Sequence, residues 1–275
     1  MQKNISIIWN WVYGRALAHL FGKKHLVKIF WRTIREPWDH LISDFGTLGS
    51  HADYIIISIT TSALSEVYPI IVPYLNKWSH VILAMKWLTA NKLLPIDECI
   101  VHTPDILLSI LSGPGFAHEI ESDVPVHLIF ASRIIDEVEQ EDFLIDELTL
   151  DFSHDVIGVS WCWVLKNIYA IGAGMASCES WFDRGHYTTT VVHEMGELLW
   201  VLGWVWETAM SPAGRWDVWI CTTPHSRNFR YGASPDSTIL GTVEWYNAAQ
   251  IFREKYGNLL ASWQFPIITS IIRKL

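Results

Sequence analysis

Ile5-Ser6-Ile7-Ile8-Trp9-Asn10-Trp11-Val12-Tyr13-Gly14-Arg15-Ala16-Leu17-Ala18 is the stretch that decides the fold. Four mostly β-branched residues lead into a tight turn and then a helix start. That is the layout of a dinucleotide-binding turn, G-x-G-x-x-G, in which the first two glycines let the backbone bend and approach a pyrophosphate. Here Trp9 and Trp11 occupy those two positions and Gly14 the third. The segment Trp9, Asn10, Trp11, Val12, Tyr13 and Gly14 is thus the expected cofactor-binding turn. An indole at position 9 or 11 fills the space the phosphates need. Two readings stay open: a homologue whose cofactor site is lost, or a working protein that carries glycine there.

Outward from that turn, short β-branched runs at 5–8, 27–30, 54–59, 81–84, 107–111 and 127–131 alternate with helical segments. Such alternation predicts βαβ units and a mostly parallel sheet. An acidic segment at 137–148 precedes Asp151-Phe152-Ser153-His154-Asp155, after which the periodicity turns helical over 159–173, 188–205 and 237–256. The expectation is an α/β Rossmann-like dinucleotide domain at 1–150, followed by an all-α substrate-binding and catalytic domain at 151–275.

Composition narrows the function classes. The 275 residues are 50% hydrophobic and 18% charged, enough to bury a core. A net charge of −9 with no basic stripe argues against nucleic acid. Cys99, Cys162, Cys178 and Cys221 show no C-x-x-C spacing and read as free thiols in a reducing cytoplasm. The N-terminal run resembles a secretory signal, but Asn10 and Arg15 interrupt it. The apolar stretch at 54–75 carries Ser, Thr, Glu66 and two prolines, too polar to insert in a membrane. His193-Glu194-Met195-Gly196-Glu197 lacks the second histidine of H-E-x-x-H, so no metal is expected.

Six segments, in order, carry a family resemblance. They are Ala84-Met85-Lys86-Trp87, Leu111-Ser112-Gly113-Pro114-Gly115-Phe116-Ala117-His118-Glu119, Val164-Leu165-Lys166-Asn167-Ile168-Tyr169-Ala170-Ile171-Gly172-Ala173-Gly174-Met175, Trp216-Asp217-Val218, Ser226-Arg227-Asn228-Phe229-Arg230-Tyr231-Gly232 and Val243-Glu244-Trp245. Together they resemble NAD(P)-dependent glycerol-3-phosphate dehydrogenase of the bacterial type. The resemblance implies NAD(P)H-dependent reduction of dihydroxyacetone phosphate to sn-glycerol 3-phosphate, a reversible reaction that supplies glycerolipid and phospholipid synthesis.

It also implies roles. Lys166 is the general acid/base, and Lys86, following a strand, is a second cation polarising the same carbonyl. Asp217 orients Lys166. Asn167, Ser226, Arg227 and Asn228 hold the substrate phosphate, with Ser112 and Gly113 also on the substrate. A hydroxyl from Thr222 or Thr223 joins the phosphate side, the choice between them being open. Lys86, Ala117, Arg227, Val243 and Glu244 contact the cofactor. Arg32 and the nearby Arg35, with no acid at position 31 or 32, favour a 2′-phosphate, hence NADPH over NADH. A homodimer is compatible with this reading, and the oligomeric state stays open.

Set beside that pattern, Trp9, Trp11, Trp87, Trp163, Trp216 and Trp245 stand at family glycines, as do Trp31 and Trp206. The chain has as many tryptophans as glycines, 16 of each. GGA and UGA differ by one base, so a gene using UGA for glycine, read with UGA as tryptophan, produces this replacement. The alternatives are a non-catalytic relic and a related hydroxyacid or ketopantoate-type reductase, against which the Ser226-Arg227-Asn228 phosphate site counts. The chain also departs from the family in a shorter connection between its second and third predicted strands and a shorter C-terminal stretch.

Overall fold

The computed structural model describes residues 1–9, 12–30, 41–42, 48, 52–76, 79–85, 89, 94–178, 180–234, 242–260 and 265–275. The chain separates into two compact units, Met1–Val156 and Ile157–Leu275. The expected division after residue 150 falls inside a strand. That strand, Leu148–Ser153, completes the first unit's sheet. Its burial alternates, which is how an edge strand reads beside the fully buried runs within the sheet.

The first unit contains β1 (Asn4–Trp9), α1 (Val12–Gly22), β2 (Leu26–Phe30), β3 (Leu41–Ile42), β4 (Tyr54–Ser58), α2 (Thr61–Ile71), β5 (His80–Leu83) and α3 (Pro95–His102). It continues through β6 (Leu107–Ser112), α4 (Ala117–Glu121), β7 (Val126–Ser132), α5 (Glu137–Asp142) and β8 (Leu148–Ser153). Strand order is β3-β2-β1-β4-β5-β6-β7-β8. All neighbours pair in parallel except β6 with β7.

The reason lies in the residues. Ile5, Ile7 and Ile8 of β1 and Ile55, Ile56 and Ile57 of β4 are all buried, the continuous apolar run of a strand covered on both faces. Leu17, Leu20 and Phe21 of α1 pack with Ile5, Ile7, Ile56, Ile82 and Phe130 in one core. Sequence order reverses at β1, with β2 on one side and β4 on the other. In such sheets ligands bind beyond the carboxyl ends of the strands at that reversal.

The second unit is helical: α6 (Val156–Met175), α7 (Trp181–Val201), α8 (Asp217–Cys221), α9 (Arg227–Ala233), α10 (Thr242–Leu260) and α11 (Pro266–Lys274). α6 is long and apolar enough to cross a membrane, yet it is buried in protein, as a central core helix is. α7 begins seven residues earlier than the periodicity suggested. Ser180 caps it by accepting the Asp183 amide at 3.0 Å, a Ser-x-x-Asp start legible in the sequence. Of the helix expected over 237–256, the described part starts at Thr242 and runs to Leu260.

Candidate active site

The first unit brings several expected residues to the carboxyl ends of its parallel strands. Trp9 ends β1 and Ser112 ends β6. Gly14 is buried in the first turns of α1, and Tyr13 beside it is half-buried. The Ser112 hydroxyl is buried and has no hydrogen-bond partner among the described residues, as suits a group reserved for a ligand.

Gly113 turns the chain with φ +128°, a conformation L side chains rarely adopt. A Cβ there would lie 3.0 Å from the Leu128 Cα and 3.1 Å from the His127 carbonyl oxygen. Ala117 then opens α4, whose start is fixed by the Phe116 amide donating to Glu119 Oε2 at 3.1 Å. Arg15 ties α1 to α4, its Nε and Nη2 donating to the two Glu121 oxygens at 2.5 and 3.0 Å. Asn10, Trp11, Trp31, Arg32, Lys86 and Trp87 lie outside the described residues. Val243 and Glu244 fall in α10, where the backbone alone is described.

The second unit gathers Lys166, Asn167, Asp217 and Asn228 around one buried point. Lys166 lies midway along the apolar α6 with only 1% of its surface exposed. Its ammonium donates to Asp217 Oδ2, and Asp217 is itself buried. Neither charge could be held there alone; removing one partner of a buried pair typically costs about 3–5 kcal/mol.

Asp217 is presented by a tight local fold. The π-helical turn Pro212–Trp216 sits against the 3₁₀ turn Trp206–Met210, and a Cβ on Gly214 would be 2.1 Å from the Ala209 carbonyl oxygen. The second Asp217 oxygen, Oδ1, receives the Cys221 thiol at 3.7 Å, a weak donor one helical turn on. The Trp163 ring centre stands 5.9 Å from Lys166 Nζ, so an indole lies at cation–π range of the ammonium at an expected glycine position. Trp216 is 47% exposed. With Trp206, Trp219, Val192 and His193 it walls a cleft of about 650 Å³.

α9 is held against α6 by glycine on both helices. A Cβ on Gly174 would fall 2.0 Å from the Phe229 carbonyl oxygen, and one on Gly232 would fall 1.9 Å from that of Ile171. This close crossing lets Asn228 Nδ2 donate to Asn167 Oδ1 at 3.0 Å, while Asn167 Nδ2 donates to the Trp163 carbonyl at 2.6 Å. Ser226 is buried at the start of α9 and Arg227 beside it is exposed. Thr222 and Thr223 both turn their hydroxyl protons back into α8, onto Trp219 and Ile220 carbonyls at 3.0 and 2.9 Å.

One hub was not singled out from sequence as structural. Glu194, on α7, accepts the Ile267 and Ile268 amides at 2.8 Å each and the Tyr169 hydroxyl at 3.1 Å. It thereby caps α11 and anchors it to α6, three residues from Lys166. Burial holds its carboxyl above the usual range, opposed by those three donors. Among the described residues no cluster of metal-ligand side chains occurs.

The model of the NAD-dependent glycerol-3-phosphate dehydrogenase N-terminus matches residues 39–137, and that of the C-terminus matches residues 155–273. The chain belongs to the NAD-dependent glycerol-3-phosphate dehydrogenase family. A glycerol-3-phosphate dehydrogenase [NAD(P)+] of Saccharophagus degradans is 32% identical over 206 residues, 70% of this chain and 56% of that protein. One of Halothermothrix orenii is 25% identical over all of this chain and 91% of its own length. A solved glycerol-3-phosphate dehydrogenase from Coxiella burnetii shares the fold, with a TM-score of 0.82 at 22% identity over 100% of this chain and 94% of that one. The family's C-terminal region therefore contains the whole Lys166–Asp217–Asn167–Asn228 cluster.

Proposed function

We propose that this glycerol-3-phosphate dehydrogenase family member reduces dihydroxyacetone phosphate to sn-glycerol 3-phosphate, reversibly, and so supplies glycerolipid synthesis in the cytoplasm. The buried Lys166–Asp217 pair carries this reading, because the reaction needs one proton delivered to a ketone oxygen away from bulk water. When bound, NAD(P)H supplies the hydride. Lys166 gives the proton, and Asp217 holds the ammonium in place and balances its charge. Lys86 polarises the carbonyl. Ser112, Gly113, Asn167, Ser226, Arg227 and Asn228 complete the substrate site.

The first unit's fit to a dinucleotide rests on its strand reversal at β1 and the strand–turn–helix that follows. Residues 9–14, Ala117, Arg227, Val243 and Glu244 would hold the cofactor. Arg32 would meet a 2′-phosphate and make NADPH the preferred donor; NADH remains a substrate. We further propose that positions 9, 11, 31, 87, 163, 206, 216 and 245 carry glycine in the working protein. The Trp163 ring beside Lys166 and the half-exposed Trp216 next to Asp217 favour this over a relic, since both place bulk around otherwise complete catalytic groups.

The test is dihydroxyacetone phosphate-dependent oxidation of NADPH and NADH by the protein carrying glycine at those eight positions and by its Lys166→Ala variant. The variant should lose on the order of 10²–10⁴-fold in kcat while still binding cofactor. Near-normal turnover in Lys166→Ala would remove the assignment.

A further inference from the structure

Arg184 is a buried cation that meets no anion among the described residues. It lies in the opening turn of α7 with only 8% of its surface exposed, and it forms no ion pair there. Its Nε is buried and reaches no acceptor among the described residues. The adjacent carboxylate, Asp183, is turned back onto the helix cap, where it accepts the Ser180 hydroxyl at 2.5 Å. What holds the guanidinium is a corner of two indoles. Its carbon stands 4.3 Å from the Trp181 ring centre and 5.2 Å from that of Trp219, and the two rings are 5.9 Å apart. Aromatic rings attract the charge but leave the in-plane N–H donors without an oxygen. A guanidinium cannot relieve this by losing a proton, because it stays charged in proteins. Neither Trp181 nor Trp219 is among the eight positions assigned to glycine, so the corner does not depend on that assignment.

These surroundings select a ligand class. Nε–H and the adjoining Nη–H make a planar fork that fits two oxygens of one oxyanion. One guanidinium balances one carboxylate, whereas a phosphate dianion would bring an uncompensated charge into a buried corner beside Asp183. The opening turn of α7 adds the positive end of the helix dipole. Trp219 also belongs to the wall of the cleft between α7 and the Asp217 segment, whose described lining includes Val192, Met210, His193 and Arg215 and no acidic side chain. Glycine at 206 and 216 would widen that cleft. We propose that the Arg184 corner binds the carboxylate of a small organic acid whose apolar body lies in the cleft along Trp219. The site is separate from the Lys166–Asp217 pair, because α8 turns Asp217 to Lys166 on α6 and Trp219 to Arg184 on α7. It goes beyond the dihydroxyacetone phosphate reduction proposed above, in which substrate and product are phosphates and neither is a carboxylate.

The experiment uses three probes with one apolar tail and different heads: octanoate, octanol and octyl phosphate. Calorimetry on the full chain with glycine at the eight positions should show saturable octanoate binding, with octanol and octyl phosphate weaker by about tenfold or more. Arg184→Gln should lose about tenfold to 100-fold in octanoate affinity and leave octanol unchanged, and Arg184→Lys should recover part of the loss. Trp181→Ala trims an exposed side chain and should weaken octanoate by about two- to fivefold. Saturating glycerol 3-phosphate should not displace octanoate. Unchanged octanoate affinity in Arg184→Gln, or no saturable binding to the unsubstituted chain, would make Arg184 a packing residue and overturn the proposal. Octyl phosphate binding as tightly as octanoate would overturn the choice of carboxylate, and displacement by glycerol 3-phosphate would overturn the separate site. Should Arg184→Gln not fold, the unsubstituted chain decides: equal affinity for octanoate and octanol overturns the proposal. Absence of dihydroxyacetone phosphate reduction would refute the reaction and leave this site standing, since its readout is binding alone.

Discussion

Gly174 of α6 and Gly232 of α9 let their two helices meet backbone to backbone. A Cβ on either would fall about 2 Å from a carbonyl oxygen of the opposite helix, 2.0 Å for Gly174 and 1.9 Å for Gly232. No rotamer change relieves such a contact, because the atoms it meets are main chain. Gly174→Ala or Gly232→Ala should therefore force the helices apart and destabilise the protein by about 1–3 kcal/mol or more. Because Asn228 rides on α9 and Asn167 on α6, substrate affinity should fall along with stability. Urea melts and substrate titration of the two variants check both effects.

Glu194 holds three donors, two backbone amides and one hydroxyl. Glu194→Ala would strand the Ile267 and Ile268 amides at the start of α11 and the buried Tyr169 hydroxyl. The expected loss is on the order of 2–4 kcal/mol from the lost cap and unsatisfied donors. Hydrogen exchange should show the 266–274 segment opening first.

His25 gives the first unit a pH dependence. Its Nδ1 accepts the Lys3 amide at 3.1 Å, so its proton sits on Nε2 and donates to the Asp142 carbonyl at 2.7 Å. Burial holds its pKa below the ordinary histidine value. Protonation would put a second N–H against the Lys3 amide. The folded pKa being the lower one, this contribution to stability is complete above the unfolded-state value of about 6.5 and is lost as pH falls through the folded value. Denaturant unfolding between pH 7.5 and 5 should show a decline that His25→Gln flattens; an unchanged slope would show that other groups cause it.

Glycine at the eight named positions is open to direct observation. Peptide mass spectrometry of the protein from its own cells should find glycine at 9 and 11. A chain carrying tryptophan there should express poorly or bind no dinucleotide, because the turn needs torsions glycine reaches freely and indoles would occupy the pyrophosphate space. Restoring all eight glycines should recover NADPH-dependent reduction of dihydroxyacetone phosphate. Tryptophan in the native peptides would favour the relic.

Much of this architecture was legible because its signals are local. The buried isoleucine runs of β1 and β4 announce central parallel strands, and the motif around Lys166 announces the long first helix of the second unit. β8 was missed because its burial alternates and its acidic flank reads as a linker; its pairing with β7 is a long-range fact. β3 has two residues, too few for any period. At the site, Lys166 and Asp217 were assigned through their motifs, but the Asn167–Asn228 hydrogen bond depends on which atoms meet across two helices, and no spacing in the chain encodes that. Glu194 was hidden for the same reason, its partners lying 25 to 74 residues away.

The late pairing of β8 onto β7 has a consequence for how the chain is made. β7 contributes a row of almost wholly buried residues, from Val126 to Ser132, whose outer edge pairs with β8. During synthesis that edge stays bare from the moment β7 joins the sheet until Ser153 has left the ribosome. An unpaired apolar edge is the kind of surface that recruits a neighbouring chain. A nascent chain stalled or cleaved near residue 150 should therefore aggregate, whereas one extending past Val156 should be soluble and closed at that edge.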